Sequence, residues 1–239
     1  MANPLNAKLV VTDDVPGAFA TTFLDALGQR RGTRCSVALS GGDTARACYE
    51  RLGSDPRARE VDWRSVDLYW GDERCVGPFD PDSNQLLVRE SLLVNIGAVG
   101  AIFPMACAST PGGGLQPESY QLLLERAGAI DIVHLGMGPD GHTASLFGGS
   151  PALDAPEERL VVEAEDPSGR IPYRRMTFTL SAIRKARLVI FTVAGASKRE
   201  AFSSLLDGAD LPASRVRADQ IIWIVDTEAH PGHDRDREA

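Results

Sequence analysis

Basic charge is scarce in this chain. Its 239 residues carry 25 Lys+Arg against 33 Asp+Glu, a formal net charge of −8. Such a surface repels a polyanion, which excludes non-specific nucleic-acid binding outside a local basic pocket and leaves small anions as candidate ligands. Long apolar runs are absent too. Stretches such as Leu188-Val189-Ile190-Phe191 fall far short of the ~20 residues that span a bilayer, and the opening Met1-Ala2-Asn3-Pro4-Leu5-Asn6 lacks the basic and apolar regions of a signal peptide. A soluble, cytoplasmic protein without membrane partners is therefore expected. Cysteine is sparse: Cys35, Cys48, Cys75 and Cys107 stand 13, 27 and 32 residues apart, matching neither paired zinc ligands nor a Cys-x-x-Cys redox motif. Free thiols are expected, with Cys75, beside a charged motif, the one candidate for reactivity. A Gly-x-Ser-x-Gly elbow, a His-Glu-x-x-His zinc helix, a kinase set and the Gly-Lys-Ser/Thr ending of a Walker loop are all missing. No internal repeat or low-complexity block is present.

What is there is a hydrophobic content of 43%, enough for a substantial core, and a repeated alternation of short β-rich runs with amphipathic helical patterns. That alternation predicts a three-layer α/β/α fold with a largely parallel, Rossmann-like central sheet. Strands are expected over 8–14, 34–40, 65–72, 131–135, 160–164, 173–180, 187–194 and 220–226. Helices are expected over 16–30, from Gly42 to Leu52, and over 84–93, 117–127 and 198–206. Phe19, Phe23, Leu24 and Leu27 mark the buried stripe of the first helix at three- and four-residue steps. Turns at 110–114 and 207–215 are too short for interdomain linkers, so one domain over 1–239 is expected, with 231–239 a frayed tail.

Chemistry concentrates where predicted strands end. In Gly136-Met137-Gly138-Pro139-Asp140-Gly141-His142-Thr143 the glycines satisfy G-x-G-x-x-G. A dinucleotide site is disfavoured, because it needs a proper helix after the third glycine and Gly148-Gly149-Ser150-Pro151 stops one within about two turns. The alternative is a sharp bend that presents His142 to a crevice, with backbone N–H groups available to an oxyanion. His134, flanked by Val133 and Leu135, reads as a packed core residue, and His230 and His233 as solvated. Ser40-Gly41-Gly42-Asp43-Thr44 follows a strand and opens a helix, so unpaired N–H groups would face an anion there, although a plain helix cap explains it equally well. Arg74, Arg175 and Lys198 all lie next to strand ends. Singly each reads as a surface charge; together in an acidic chain they point to an anion pocket.

Taken together, Leu39-Ser40-Gly41-Gly42, Asp72-Glu73-Arg74 with Ser83-Asn84, Gly136 to His142 continuing Thr-Ala-Ser-Leu-Phe147, Arg175-Met-Thr-Phe-Thr and Gly195-Ala-Ser-Lys198 resemble the 6-phosphogluconolactonases, a group related in fold to the glucosamine-6-phosphate deaminases. The likeness runs from about residue 8 to 225. The His-Thr-Ala-Ser-Leu-Phe ending is similar to the lactonases, whereas deaminases usually continue Ile-Ala-Phe-Asn-Glu. Asp43 and Ala45 stand where the family often has Ser and Pro, and Gly148 replaces a usual Pro. The resemblance implies hydrolysis of 6-phospho-glucono-1,5-lactone without metal or organic cofactor, a small-molecule sugar-phosphate lactone being the only partner. His142 would be the general base, with a carboxylate, Asp72, orienting it. Ser40, Gly41, Gly42, Thr44, Arg74, Asn84, Gly138, Arg175 and Lys198 would bind the substrate and its phosphate. The competing readings are a sugar-phosphate isomerase or deaminase acting on glucosamine 6-phosphate and a non-catalytic sugar-phosphate-binding regulator. Oligomeric state is left open, a monomer included.

Overall fold

The computed structural model describes residues 5, 7–30, 33–105, 107, 116–170 and 172–232. The turn expected at 110–114, His233 and the tail from 233 onward lie outside the described residues. In chain order the elements are β1 (Lys8–Val11), α1 (Val15–Gln29), β2 (Cys35–Leu39), α2 (Asp43–Ser54), β3 (Val66–Trp70), β4 (Asp72–Arg74), α3 (Asn84–Val88), α4 (Val94–Ile96), β5 (Ile102–Phe103), α5 (Pro117–Ala127), β6 (Ile132–Gly136), β7 (Val161–Ala164), β8 (Arg175–Phe178), α6 (Leu180–Arg184), β9 (Leu188–Val193), α7 (Arg199–Leu206) and β10 (Gln220–Val225). Between α3 and α4 the helix widens into a π turn over Arg89–Leu93.

Seven strands form one sheet in the order β1-β10-β9-β6-β2-β3-β5, and every neighbouring pair is parallel. The expected parallel α/β sheet is therefore present. From β2 the chain winds one way through β3 to β5, then returns to the other side of β2 with β6 and continues to β9 and β10. The winding reverses between β2 and β6, and open α/β sheets bind ligands outside the carboxyl ends of the strands at such a point.

The sheet buries apolar residues on both faces. All six residues of β9 are buried, and Phe191 stacks on Trp223 of β10 at 3.8 Å. The predicted stripe of α1 holds, since Phe19, Phe23, Leu24 and Leu27 are all buried. Asp14 caps that helix by accepting from the Gly17 N–H at 2.8 Å, with Pro16 in its first turn, a favoured start for a helix.

Three expectations need correction. The strand expected over 65–72 breaks at Gly71, where the Gly71 N–H donates to the Leu39 carbonyl and the Gly71 carbonyl accepts from the Phe178 N–H. The chain thereby leaves the parallel sheet, and β4 joins a second, antiparallel sheet in the order β4-β8-β7. The edge strand β5 was not anticipated, because two residues are too few to show a period. Finally, Cys75 and Cys107 are joined by a disulfide with Cα atoms 5.2 Å apart. Spacing arguments address neighbours in sequence, whereas the fold closes this separation of 32 residues. Free-thiol status holds for Cys35 and Cys48, both buried. Burial pushes both thiols up to about 12, so they are inert.

Candidate active site

Two glycine-bearing turns leave the sheet at its switch point. After β2, Gly42 takes a φ of 92° and leads into α2, which no side chain caps. The first amides of α2 thus lack helical partners and carry the positive end of its dipole. Gly41 packs so closely on Asn84 that a Cβ would overlap the amide. After β6, the Gly138 N–H donates to the His142 carbonyl at 2.8 Å and the Gly141 N–H to the Gly138 carbonyl at 3.0 Å, with Gly141 at φ +78°. A Cβ on Gly138 would collide with the His142 ring. No helix follows Gly141, which is the geometry that argued against a dinucleotide. Ala144, a non-glycine residue at φ 48°, lines the cleft, a local strain of the kind that gathers at functional sites.

His142 is accessible without being loose: its side chain is 18% exposed and lies 4.7 Å from the Phe147 ring. Its Nδ1 sits 2.5 Å from Asp140 Oδ1, and its backbone N–H donates to the same oxygen at 3.2 Å. Arg170 holds the other Asp140 oxygen at 2.7 Å. Burial alone would push the Asp140 carboxyl up, but the His142 ring and its hydrogen bonds outweigh it and bring the group below its ordinary range. Here the assignment of Asp72 as the orienting carboxylate is corrected. Asp72 instead accepts from Ser145 Oγ at 2.6 Å, from Asn84 Nδ2 at 3.3 Å and from Arg175 Nη1 at 3.4 Å.

The second sheet explains the cations. β4 and β8 pair antiparallel with Arg74 directly opposite Arg175. Opposed residues of a ladder share a face, and like charges there repel. Asp72, two residues before Arg74, lies on that face and offsets part of the repulsion. Arg74 Nη1 donates to Asn84 Oδ1 at 2.6 Å and to the Asp82 carbonyl at 2.9 Å. The Nε–H groups of both arginines are buried without a partner, although buried donors are nearly always satisfied. Both arginines line the cleft and supply it with the positive charge that an oxyanion requires. Arg175 is only 5% exposed, and burial lowers its pKa against the opposing pull of Asp72. Burial likewise lowers Lys198, with Asp140 pulling the other way.

All of these groups meet in one cleft of about 410 Å³. Ser40, Gly41, Gly42 and Thr44 line it from the entry to α2; Asp72, Arg74 and Asn84 from β4 and α3; Gly138 and His142 from the bend after β6; Arg175 from β8; and Lys198 from the turn before α7. The residues expected from the sequence as base, orienting carboxylate and substrate contacts therefore all line this one cleft. Asp43 lines the cleft too but is exposed at the first position of α2. A larger hollow of about 1110 Å³ lies at the amino ends of β2 and β3. Its arginines are paired with carboxylates, Arg34 with Asp67, Arg57 with Asp55 and Arg30 with Asp131, so it offers an anion little.

Several residues escaped sequence reasoning. Asp140 was legible only as a turn former. Ser145 gave no signal of its contact with Asp72. Glu73 accepts from the backbone N–H groups of Arg74, Asn84 and Gln85 at 2.8 to 2.9 Å and from Ser83 Oγ at 3.1 Å. It thereby fixes the start of α3, and burial pushes its carboxyl up to about 7 against those hydrogen bonds. Strand alternation could have found it, since Glu73 must face away from Asp72 and Arg74. His134, as expected, is fully buried.

Residues 10–223 match the family described as glucosamine-6-phosphate isomerases/6-phosphogluconolactonase. A 6-phosphogluconolactonase of Synechocystis sp. is 35% identical over 223 residues, covering 87% of this chain and 88% of that protein. The 6-phosphogluconolactonase of Mycobacterium tuberculosis is 34% identical over 235 residues, covering 91% and 94%. Among solved structures, 6-phosphogluconolactonase from Leishmania guyanensis superposes with a TM-score of 0.80 at 26% identity, covering 95% of this chain and 98% of that one.

Proposed function

The chain belongs to the glucosamine-6-phosphate isomerase/6-phosphogluconolactonase family and hydrolyses 6-phosphogluconolactone, and we propose that it does so with His142 as general base and Asp140 as the carboxylate that orients it. The observation that carries this reading is that His142, held by Asp140, opens onto the same cleft as Arg74 and Arg175, which stand opposite one another across β4 and β8. Its reaction is the opening of 6-phospho-D-glucono-1,5-lactone to 6-phospho-D-gluconate, the second step of the oxidative pentose phosphate pathway. We place that activity in the cytoplasm. The whole chain acts as one catalytic unit in this reading, which is supported by β1 and β10, from its two ends, pairing in one sheet.

With Nδ1 donating to Asp140 Oδ1, the imidazole is held in the tautomer whose Nε2 lone pair is free. That nitrogen takes a proton from water as the water oxygen bonds to the lactone carbonyl carbon. The tetrahedral oxyanion is stabilised by hydrogen-bond donors of the cleft wall. Collapse breaks the bond from that carbon to the ring oxygen, which leaves as the hydroxyl by taking the proton held on the imidazolium. The ester carbonyl is already activated, so no covalent nucleophile is needed. Arg74, Arg175, Lys198 and the α2 amides hold the phosphate at the far end of the sugar and thereby position the carbonyl. A coupled assay on freshly generated lactone, corrected for spontaneous hydrolysis, tests the base. His142→Ala should lower kcat by ~10² to 10⁴ with little change in affinity. Wild-type turnover in that variant removes His142 from the mechanism.

A further inference from the structure

Beneath the cleft lies a polar chain that the hydrolytic steps do not use. The Tyr49 hydroxyl is 2.8 Å from the Ser40 backbone nitrogen, 3.1 Å from the Ser40 carbonyl oxygen and 2.8 Å from His134 Nδ1. His134 Nε2 is in turn 2.9 Å from Thr192 Oγ1. Tyr49 and His134 are wholly buried, and Thr192 nearly so. Their surroundings are otherwise apolar and aromatic, with the Phe19 ring 4.4 Å from His134. Phe or Leu would fill such space without the cost of desolvating three polar groups. Packing alone therefore does not account for them.

The ends of the chain are informative. Tyr49 belongs to α2, and its hydroxyl engages both backbone groups of Ser40, the residue that ends β2 and begins the turn into that same helix. The Ser40 N–H is thus committed inward, and the unpartnered amides facing the cleft begin after it. At the other end Thr192, on β9, lines the cleft beside Ala194 and Lys198. His134, on β6, stands between them on the strand whose continuation carries His142. One buried chain therefore ties together the carboxyl ends of β2, β6 and β9, the three strands at the switch point.

Proton counting leaves two arrangements, each continuous from end to end. Burial holds the His134 ring down at about 3, so at neutral pH it carries one proton. Tyr49 has a single proton, and its oxygen already accepts from Ser40. If Tyr49 donates to the Ser40 carbonyl, His134 Nδ1 must donate to Tyr49, and Nε2 accepts from the Thr192 hydroxyl. If Tyr49 donates to Nδ1, Nε2–H donates to Thr192, and the Thr192 proton is released toward other acceptors. Either arrangement links the turn after β2 to the hydroxyl at the cleft wall.

We propose that Tyr49, His134 and Thr192 are positioning residues that hold the turn from Ser40 to Gly42 at the geometry that selects a phosphorylated substrate. This rests on the reading of the cleft as a sugar-phosphate site. Tyr49→Phe keeps the ring and its edge contact on His134 while removing the hydroxyl. For 6-phosphogluconolactone it is expected to raise KM roughly tenfold, the loss typical of one buried hydrogen bond, with kcat kept within about twofold. Competitive inhibition by inorganic phosphate should weaken in parallel, and kcat/KM for unphosphorylated gluconolactone should stay unchanged. His134→Asn, whose amide falls near Nδ1 and keeps a partner for Tyr49, should retain more phosphate preference than His134→Gln, whose amide falls near Nε2. That pair carries the test if Tyr49→Phe does not fold. Preference unchanged in Tyr49→Phe with only a lower melting temperature, or an equal loss on both substrates, overturns the proposal. Arg175→Ala measured alongside separates the two levels. If it loses phosphate preference while Tyr49→Phe keeps it, this inference alone fails; if neither variant loses it, the phosphate-site reading fails as well.

Discussion

Asp140 and Asp72 are both carboxylates of the same cleft, yet their partners give them different work. Asp140 touches the imidazole, and Asp72 touches Ser145 and Arg175. Asp140→Asn keeps the size of the side chain but offers His142 a weaker and ambiguous partner, so kcat is expected to fall by about 10² to 10⁴ with KM nearly constant. Asp72→Asn should act instead through Arg175, raising KM for the phosphorylated lactone more than it lowers kcat. Steady-state kinetics on the two variants checks the division, and the reverse pattern would return the orienting role to Asp72. A second residue-scale expectation concerns His134, whose folded pKa is depressed to about 3 from an unfolded value near 6.5. Below pH 6.5 the unfolded chain binds a proton that the folded chain refuses. The stability this residue contributes is thus complete above pH 6.5 and drains away as pH falls toward 3, by at most about 1.4 kcal/mol per unit. Urea titrations at pH 6 and pH 4 should show a shallower decline in His134→Gln than in the parent.

At the scale of elements, the pairing of β4 with β8 places Arg74 opposite Arg175 on one face of the second sheet, a like-charge pairing that an anion bound beside it would relieve. Arg74→Ala and Arg175→Ala should therefore each reduce discrimination between phosphorylated and unphosphorylated gluconolactone, and an unchanged ratio in both would dismiss the anion pocket. This pairing also marks the limit of what the sequence reveals. Ser40 to Thr44, Gly136 to His142 and Arg74 were legible because each signature is local: glycines where a strand must turn, and charge where it ends. The α1 stripe was legible for the same reason, since Phe19, Phe23 and Leu27 recur with the helical period. Nothing local says that Arg175 will oppose Arg74, that Gly71 will carry the chain from one sheet into another, or that Asp72 will find Ser145. Those follow from which strands the fold sets side by side. Asp140 is the intermediate case: the Asp-Gly turn is visible, but the inward rotation of its carboxylate onto His142 requires the bend to close, as the Gly138 to His142 hydrogen bond does.

Across the whole molecule, a chain of net charge −8 gathers Arg74, Arg175 and Lys198 in one cleft at the carboxyl end of its sheet, which attracts an anionic substrate there. The Cys75–Cys107 disulfide acts at this scale as well. It joins the residue that follows Arg74 to the chain beyond β5, across a separation of 32 residues. Closing a loop of that length restricts the unfolded chain by about 4 kcal/mol in the chain-entropy account, on the order of 10 °C in melting temperature for a chain of this size. A reducing compartment favours the open dithiol, so the bond is expected to form and break with the redox state of the preparation. Thiol titration of denatured protein should count two groups, Cys35 and Cys48, after mild oxidation and four after reduction with a dithiol. The oxidised form should melt higher by that order, and Cys107→Ser should melt at the reduced temperature under both conditions. Four thiols after oxidation, or equal melting of the oxidised and reduced parent, would show that the link contributes nothing to the stability of the folded chain.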